Sequence, residues 1–188
     1  MKIPTRCGSS KSPKSDFLSP HLNADKARFA VWSVLRKELH DSLTLCNWMY
    51  PLAASPLKSR GYEGDVSAEA QLYSLATGDR KDAAALDRVA QRIFTLHRLL
   101  TMRDMGTAEM RARHDTVPNW VFDGPADRPP FTPGSIRMDR DDIEKGKDLF
   151  YDVLGWDRRT GAPTRAALSK LGLGDAADRL ARSGLLPG

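Results

Sequence analysis

Apolar residues recur every three or four positions in several stretches of this chain, which is the spacing of one face of an α-helix. The first stretch runs from Asn23, a candidate N-cap, to Pro51, a residue that helices rarely continue through. The pattern therefore predicts a long amphipathic helix that begins after Asn23 and continues until Pro51 ends it. Its apolar face contains Ala27, Ala30, Val31, Val34, Leu35, Leu39, Leu43 and Cys46.

The same spacing returns after a loop at residues 51–65, which contains two prolines and two glycines. Residues 67–77 predict a second helix, with Gly78 at the left-handed position that ends many helices. A third helix is predicted to start at Asp79, with Asp82 in its first turn. Its apolar stripe contains Leu86, Val89, Ala90, Ile93, Phe94, Leu96, His97 and Leu100.

The last part of the chain predicts three more helices. Asp139 is placed to cap one of them, and residues 160–184 predict two short helices that Gly172 and Gly174 separate. Between these and the third helix, residues 114–138 contain five prolines and two glycines and predict a long irregular connection. No stretch alternates apolar and polar residues as a half-buried strand does, so the pattern indicates an all-α fold, an irregular helical domain with long loops.

Composition divides the chain into a short leading segment and one domain. Residues 1–22 are rich in Ser, Pro and Lys, and we expect them to be a mobile lead-in. Residues 23–188 belong to a chain that is 40% hydrophobic, which is enough for one helical domain with its own core. Lys and Arg number 29 against 24 for Asp and Glu, a basic excess too small to favour nucleic-acid binding.

The cysteine content and the N-terminal residues indicate the cellular compartment of the protein. The chain has two cysteines, Cys7 and Cys46, and no export signal precedes them, which fits a reducing cytoplasm better than a disulfide-bonded secreted protein. No stretch approaches 18 consecutive apolar residues, so no membrane span is predicted. We therefore expect a cytoplasmic protein.

Few residue patterns in the chain carry obvious chemistry. The histidines have no spacing typical of zinc sites, and the tryptophans are expected to be core or interface residues. His40 and His114 each precede an aspartate, but adjacent side chains rarely face each other, so neither pair predicts a catalytic dyad. Phosphate-binding, dinucleotide-binding and hydrolase motifs are absent from the sequence.

Cys46 allows two interpretations. A free cysteine on an apolar helix face is often a small core residue, whereas its thiolate is also a metal ligand. Asp41 and Cys46 do not share a helix face, so the helix must end between them if both are to meet one ligand. A 4Fe-4S cluster takes four thiolates, and this sequence offers only Cys46 and Cys7.

Three ordered segments resemble the C-terminal region of one family, the tungsten- or molybdenum-pterin aldehyde ferredoxin oxidoreductases. Residues 41–46, DSLTLC, are similar to the family's pterin motif D-x-x-G-L-C, with Thr44 where the motif has Gly. Residues 89–122 resemble a helix ending in R-I-x-x-L-x-R that is followed by a D-x-L-P segment. Residues 150–173 are similar to the family ending that contains G-W-D-x-x-T-G-x-P-T.

The resemblance implies a fold like the C-terminal helical domains of these enzymes and a role for three residues. Asp41 and Leu45 would lie against the pterin of a bis-pterin tungsten or molybdenum cofactor. Cys46 would be the last of four ligands to a 4Fe-4S cluster. The family oxidises aldehydes to carboxylates and passes the electrons through the cluster to ferredoxin, so aldehyde and ferredoxin are the implied partners.

The sequence shows none of the family's N-terminal sheet domain or the motif that supplies the other cluster ligands. We therefore expect a gene fragment or a split subunit that is inactive alone, with both cofactors bound only when the N-terminal portion or a separately encoded subunit is supplied. The alternative is a non-catalytic helical binding module that has kept the fold and lost the chemistry.

Overall fold

The computed structural model describes residues 21–46, 58–65, 67–123 and 138–186. Every regular element of more than one residue in these ranges is helical, which confirms the predicted all-α fold. A short 3-10 helix spans Lys58–Arg60. The α-helices are α1 (Ala24–Ser42), α2 (Ala68–Thr77), α3 (Ala83–Met105), α4 (Met110–Arg113), α5 (Trp120–Asp123), α6 (Arg140–Leu154), α7 (Arg165–Lys170) and α8 (Gly174–Arg182).

Two compact units divide the described residues. The first comprises the described part of residues 32–96, which holds most of α1, all of α2 and the first half of α3. Apolar side chains on successive turns of these helices form its core, since burial of such side chains is the main stabilising term in folding. The buried ones are Leu35, Leu39, Ala70, Leu86 and Ala90.

The second unit comprises residues 21–31 and the described part of residues 97–186. The first turns of α1 pack on α6 here, because the Leu22 backbone N–H donates to Asp142 Oδ2 at 2.8 Å and Gly146 leaves room for the Leu22 side chain. The helices α7 and α8 pack together near the C-terminal end. Its buried apolar residues include Val31, Leu99, Met102, Met110, Tyr151, Leu154, Trp156, Leu168, Ala177 and Leu180.

A tight turn joins α6 to α7 within the second unit. Asp157 Oδ1 accepts hydrogen bonds from the backbone N–H and the hydroxyl of Thr160, at 2.8 and 2.7 Å. The Gly161 N–H donates to the Asp157 carbonyl, and the Asp157 N–H donates to the Ala162 carbonyl, both at 2.8 Å. Trp156 and Pro163 form an isolated antiparallel bridge across the base of this turn.

Most of the predicted helix caps are confirmed. The side chains of Asn23 and Asp139 accept backbone N–H groups of the first turns of α1 and α6, both at 2.9 Å. Gly78 ends α2 with a φ of 73°, in the left-handed region that favours glycine. Gly174 is the first residue of α8 rather than a break before it.

Two predicted helix boundaries are wrong. The helix α1 ends at Ser42 and not near Pro51, because the backbone turns left-handed at Thr44. The helix α3 begins at Ala83 and not at Asp79, because Asp82 takes the cap position and accepts the Ala85 N–H at 2.7 Å. The predicted connection at residues 114–138 includes the short helix α5, and its residues 124–137 lie outside the described ranges.

Other predictions from the sequence are not decided by the structure. The proposed lead-in is outside the described residues up to position 20, so its mobility stays a prediction, as does the single domain over residues 23–188. Within the described ranges, no helix combines the length and the apolar character that crossing a bilayer requires.

Candidate functional site

The end of α1 carries all three residues that the sequence marks as candidates, and residues 41–46 are called the α1 terminus below. Asp41 lies in the last turn of the helix, with 62% of its side chain exposed, and its Oδ1 is 2.5 Å from Lys37 Nζ. A carboxylate at a helix C-terminus opposes the helix dipole. The dipole therefore disfavours Asp41, and the pair with Lys37 offsets this in part. An acceptor-rich helix end also suits a ligand that presents N–H groups.

The α1 terminus closes with two backbone hydrogen bonds in the pattern of a Schellman motif. The Leu45 N–H donates to the His40 carbonyl at 2.8 Å, and the Thr44 N–H donates to the Asp41 carbonyl at 3.3 Å. Thr44 occupies the left-handed position with a φ of 56°. The backbone shape that glycine favours is thus retained here with threonine in its place.

The helix ends between Asp41 and Cys46, which is the condition for both residues to meet one ligand. Leu45 is half-buried, and Cys46 is a free, exposed cysteine rather than an apolar core residue. No group of three or more His, Cys, Asp or Glu side chains that could hold a metal ion occurs among the described residues. A 4Fe-4S cluster takes four thiolates, so among the described residues Cys46 would be one ligand of four, and that role stays a prediction.

Directly before the α1 terminus, a buried cluster of charged side chains joins three helices of the first unit. His40 Nε2 lies 2.5 Å from Glu69 Oε1 of α2, and the exposed fractions of these two residues are 2% and 1%. Arg36, also buried, pairs with Glu69 and with Asp87 of α3. Sequence reasoning missed this cluster, although Arg36 and His40 adjoin the apolar stripe at helical spacing and so carried a signal.

A second polar cluster lies in the other unit, around the carboxylate of Asp115. Arg98 binds both oxygens of this carboxylate, with Nη1 at 2.8 Å from Oδ1, and Tyr151 donates its hydroxyl to Oδ2 at 2.6 Å. Arg98 also donates from Nε and Nη2 to the Gly161 carbonyl, at 3.0 and 2.9 Å. Its guanidinium lies 4.9 Å from the centroid of the Trp156 ring, a cation–π arrangement.

The electrostatics of this cluster favour one protonation state. Burial raises the pKa of Asp115, but the hydrogen bonds from Arg98, His114 and Tyr151 outweigh burial and lower the pKa to about 2. Burial, and then the neighbouring Asp115 carboxylate, raises the pKa of Tyr151 above its ordinary value. The carboxylate is therefore ionised and the phenol protonated at neutral pH.

The Asp115 cluster unites the second and third segments in which the family resemblance was seen. Arg98 and Asp115 come from residues 89–122, and Tyr151 and Gly161 come from residues 150–173. Their contacts bury a charge pair and fix a backbone carbonyl, which is a structural role. The contacts of these motif residues connect α3, α6 and the turn after α6 within the second unit.

The histidines give one correction. The expectation that His114 and Asp115 do not face each other is wrong, since His114 Nδ1 lies 2.8 Å from Asp115 Oδ1. Both side chains turn toward Arg98, which draws them together. The described carboxylate contact of His40 is with Glu69, which lies 29 positions further along the chain.

Two comparisons with known proteins bear on this architecture. A family model described as aldehyde ferredoxin oxidoreductase, domains 2 & 3, matches residues 5–173. The match thus begins within the predicted lead-in. A solved structure titled "Active site complex BamBC of Benzoyl Coenzyme A reductase in complex with 1,5 Dienoyl-CoA" is similar over 97% of this chain, with a TM-score of 0.61 and 20% sequence identity.

The similarity to the solved structure is one of fold, and it is partial. This chain spans 24% of the length of the matched chain. The roles of Asp41, Leu45 and Cys46 as cofactor contacts are not tested by either comparison and stay predictions.

Proposed function

We propose that this chain, which belongs to the aldehyde ferredoxin oxidoreductase family through that family's domains 2 and 3, supplies the helical part of an oxidoreductase site that further protein completes. The observation that supports this is the α1 terminus, where the helix stops between an exposed carboxylate and an exposed free thiol. The proposed reaction is oxidation of an aldehyde to a carboxylate, with ferredoxin as the electron acceptor.

Each candidate residue of the α1 terminus has a separate proposed role. Cys46 contributes one thiolate to a 4Fe-4S cluster, and its exposure leaves the sulfur accessible to iron. Asp41 accepts charge-assisted hydrogen bonds from the N–H groups of a pterin, and Leu45 packs against it. When bound, the pterin-held tungsten or molybdenum supplies the oxidation chemistry and the cluster carries the electrons away.

The described residues fit this proposal only as part of a site. Since they hold no cluster of metal-ligating side chains, three thiolates and the metal's own surroundings must come from elsewhere. We propose that the N-terminal portion of such an enzyme, or a separately encoded subunit, supplies them. The described part of the chain alone would then be folded and inactive.

Anaerobic purification of the chain with the proteins that accompany it, followed by metal analysis, tests this proposal. We expect tungsten or molybdenum and about four irons per assembly. The variant C46S should lose the iron, whereas C7S, the matched substitution of the other cysteine, should keep it. The variant D41N should lose tungsten or molybdenum but keep iron, with D104N at an exposed aspartate as its control.

Two results would contradict the proposal. A metal-free protein that binds nucleic acid in a salt-sensitive manner would favour the non-catalytic binding module. Equal iron in C46S and C7S would show that Cys46 is not a ligand of the cluster.

Because the similar solved structure is named a benzoyl coenzyme A reductase, the activity assay should offer both an aldehyde and an aryl-coenzyme A thioester.

A further inference from the structure

The α1 terminus has few means of holding its own direction. It is a surface turn whose described hydrogen bonds all go to residues of α1 itself: Leu43, Thr44 and Leu45 donate backbone N–H groups, Ser42 donates its hydroxyl, and Asp41 accepts from Lys37. Asp41 and Cys46 are exposed, so packing does not fix their side chains. The direction in which they face therefore follows from the rotation of α1 about its own axis.

His40 connects this turn to the interior of the first unit. Its backbone carbonyl accepts the Leu45 N–H at 2.8 Å, and its ring nitrogen Nε2 lies 2.5 Å from Glu69 Oε1. Both side chains are almost completely buried. One residue thus links the cap of the α1 terminus with a carboxylate on α2.

The charged neighbours of Glu69 extend this link to α3. Arg36, one turn before His40, pairs with Glu69 and with Asp87 of α3. Buried charge clusters of this kind are often no more stabilising than apolar residues of the same volume, because each ion loses its hydration. Hydrogen bonds are directional, however. Two of them run from one face of α1 to the Glu69 carboxylate, and they restrict the rotation of the helix in a way that apolar contacts do not.

We propose that His40 and Glu69, with Arg36, are positioning residues that set the direction in which the α1 terminus presents Asp41 and Cys46. They touch neither cofactor nor substrate and act through the backbone of the turn. The part of this proposal in which Asp41 and Cys46 face a cofactor rests on the function proposed above. The restriction of the turn itself is a property of this chain alone and is measurable without any cofactor.

Amide hydrogen exchange on the full, cofactor-free chain tests the proposal. The variant H40L keeps the volume of the side chain and removes the ring nitrogens. We expect exchange at the Leu45 amide to rise about tenfold, as the loss of one hydrogen bond to a charged group predicts, with less than about a twofold change at Ala90 in the core of the same unit. The matched control H97L, at an exposed histidine of α3, should leave both amides unchanged.

A conservative variant separates positioning from general stability. In H40Q the side-chain amide is able to donate to Glu69, so Leu45 should return to within about twofold of its original exchange rate. Should H40L fail to fold, E69Q is measured in the same way, with faster exchange at Leu45 again expected. An equal rise at Leu45 and Ala90 would show a merely structural role and overturn the proposal, as would an unchanged Leu45 amide.

The loaded assembly gives a second readout. If the chain holds an iron–sulfur cluster, H40L should retain its iron while the reduction potential of the cluster shifts, and H97L should show no shift. If the original assembly holds no iron and no pterin, the proposed function fails, while the exchange ratio between Leu45 and Ala90 still decides whether His40 and Glu69 position the turn.

Discussion

Tyr151 donates its phenolic hydrogen to Asp115 across 2.6 Å, and the same carboxylate is bound by Arg98. This contact joins α6 to the segment after α4 within the second unit. Its partners are 36 positions apart, so it stabilises only the folded chain. The carboxylate is ionised, which makes the hydrogen bond stronger than one between neutral groups.

The variant Y151F removes this hydrogen bond and leaves the ring in place. We expect a loss of about 2 kcal/mol in the free energy of unfolding, because a buried, charge-assisted hydrogen bond disappears. Chemical denaturation at neutral pH measures it. The matched control is Y73F, whose hydroxyl donates to Asp79 at 3.0 Å on the surface, where much less stability should be lost. Equal losses in the two variants would contradict this prediction.

Asp115 should make stability depend on acid pH. Its pKa in the folded chain is about 2, below the ordinary 3.8, so its contribution is complete above pH 4 and is lost as the pH falls toward 2. With only 22% of this side chain exposed, the contribution is on the order of 2 kcal/mol. Unfolding free energies between pH 7 and pH 2.5, taken as the difference between the unsubstituted chain and D115N, measure it. The surface variant D104N should show no such difference.

Thr44 holds a left-handed backbone conformation at the α1 terminus, which is strained for a β-branched residue. The variant T44G should therefore raise the free energy of unfolding by about 1 kcal/mol, after the greater freedom of glycine in the unfolded chain is subtracted. The reciprocal variant G78A, at a left-handed position with open space around it, should lower stability by a similar amount. Thermal or urea unfolding of both decides, and a destabilised T44G would mean that its hydroxyl or methyl group makes compensating contacts.

Gly161 is surrounded closely, and a Cβ placed there would lie 2.8 Å from Tyr151 Oη and 3.1 Å from the Arg111 backbone nitrogen. The variant G161A should lose about 2 kcal/mol more stability than G106A, because both alanines are strained by a positive φ but only the first also collides with neighbours. Parallel urea titrations give the difference. Similar losses in the two variants would show that the neighbours of Gly161 move away without cost.

Local signals allowed much of the fold to be predicted. Asn23, Asp139 and Gly78 act through contacts within their own helix turn, so their caps are readable from neighbouring residues. The end of α1 was placed too late because Thr44 adopts a conformation that its residue type disfavours. The helical pattern of apolar residues does not predict a left-handed backbone conformation at a single threonine.

The candidate site was predicted in part. The family resemblance of one short segment marks residues 41–46; their roles stay predictions, and the helix does end among them. The buried contacts of Glu69 were not found, since Arg36 is 33 positions away and His40 is 29. Charged residues in a helical stretch are ordinarily solvent-facing, and only the packing of α2 against α1 shows that these are not.

The turn between α6 and α7 contains hydrogen bonds between residues three to five positions apart. Arg98, by contrast, meets the Gly161 carbonyl across 63 positions of chain. Closing a short loop sacrifices much less chain entropy than closing a long one. We therefore expect the turn to assemble early in folding, so that Arg98 later docks onto a carbonyl whose direction is already fixed.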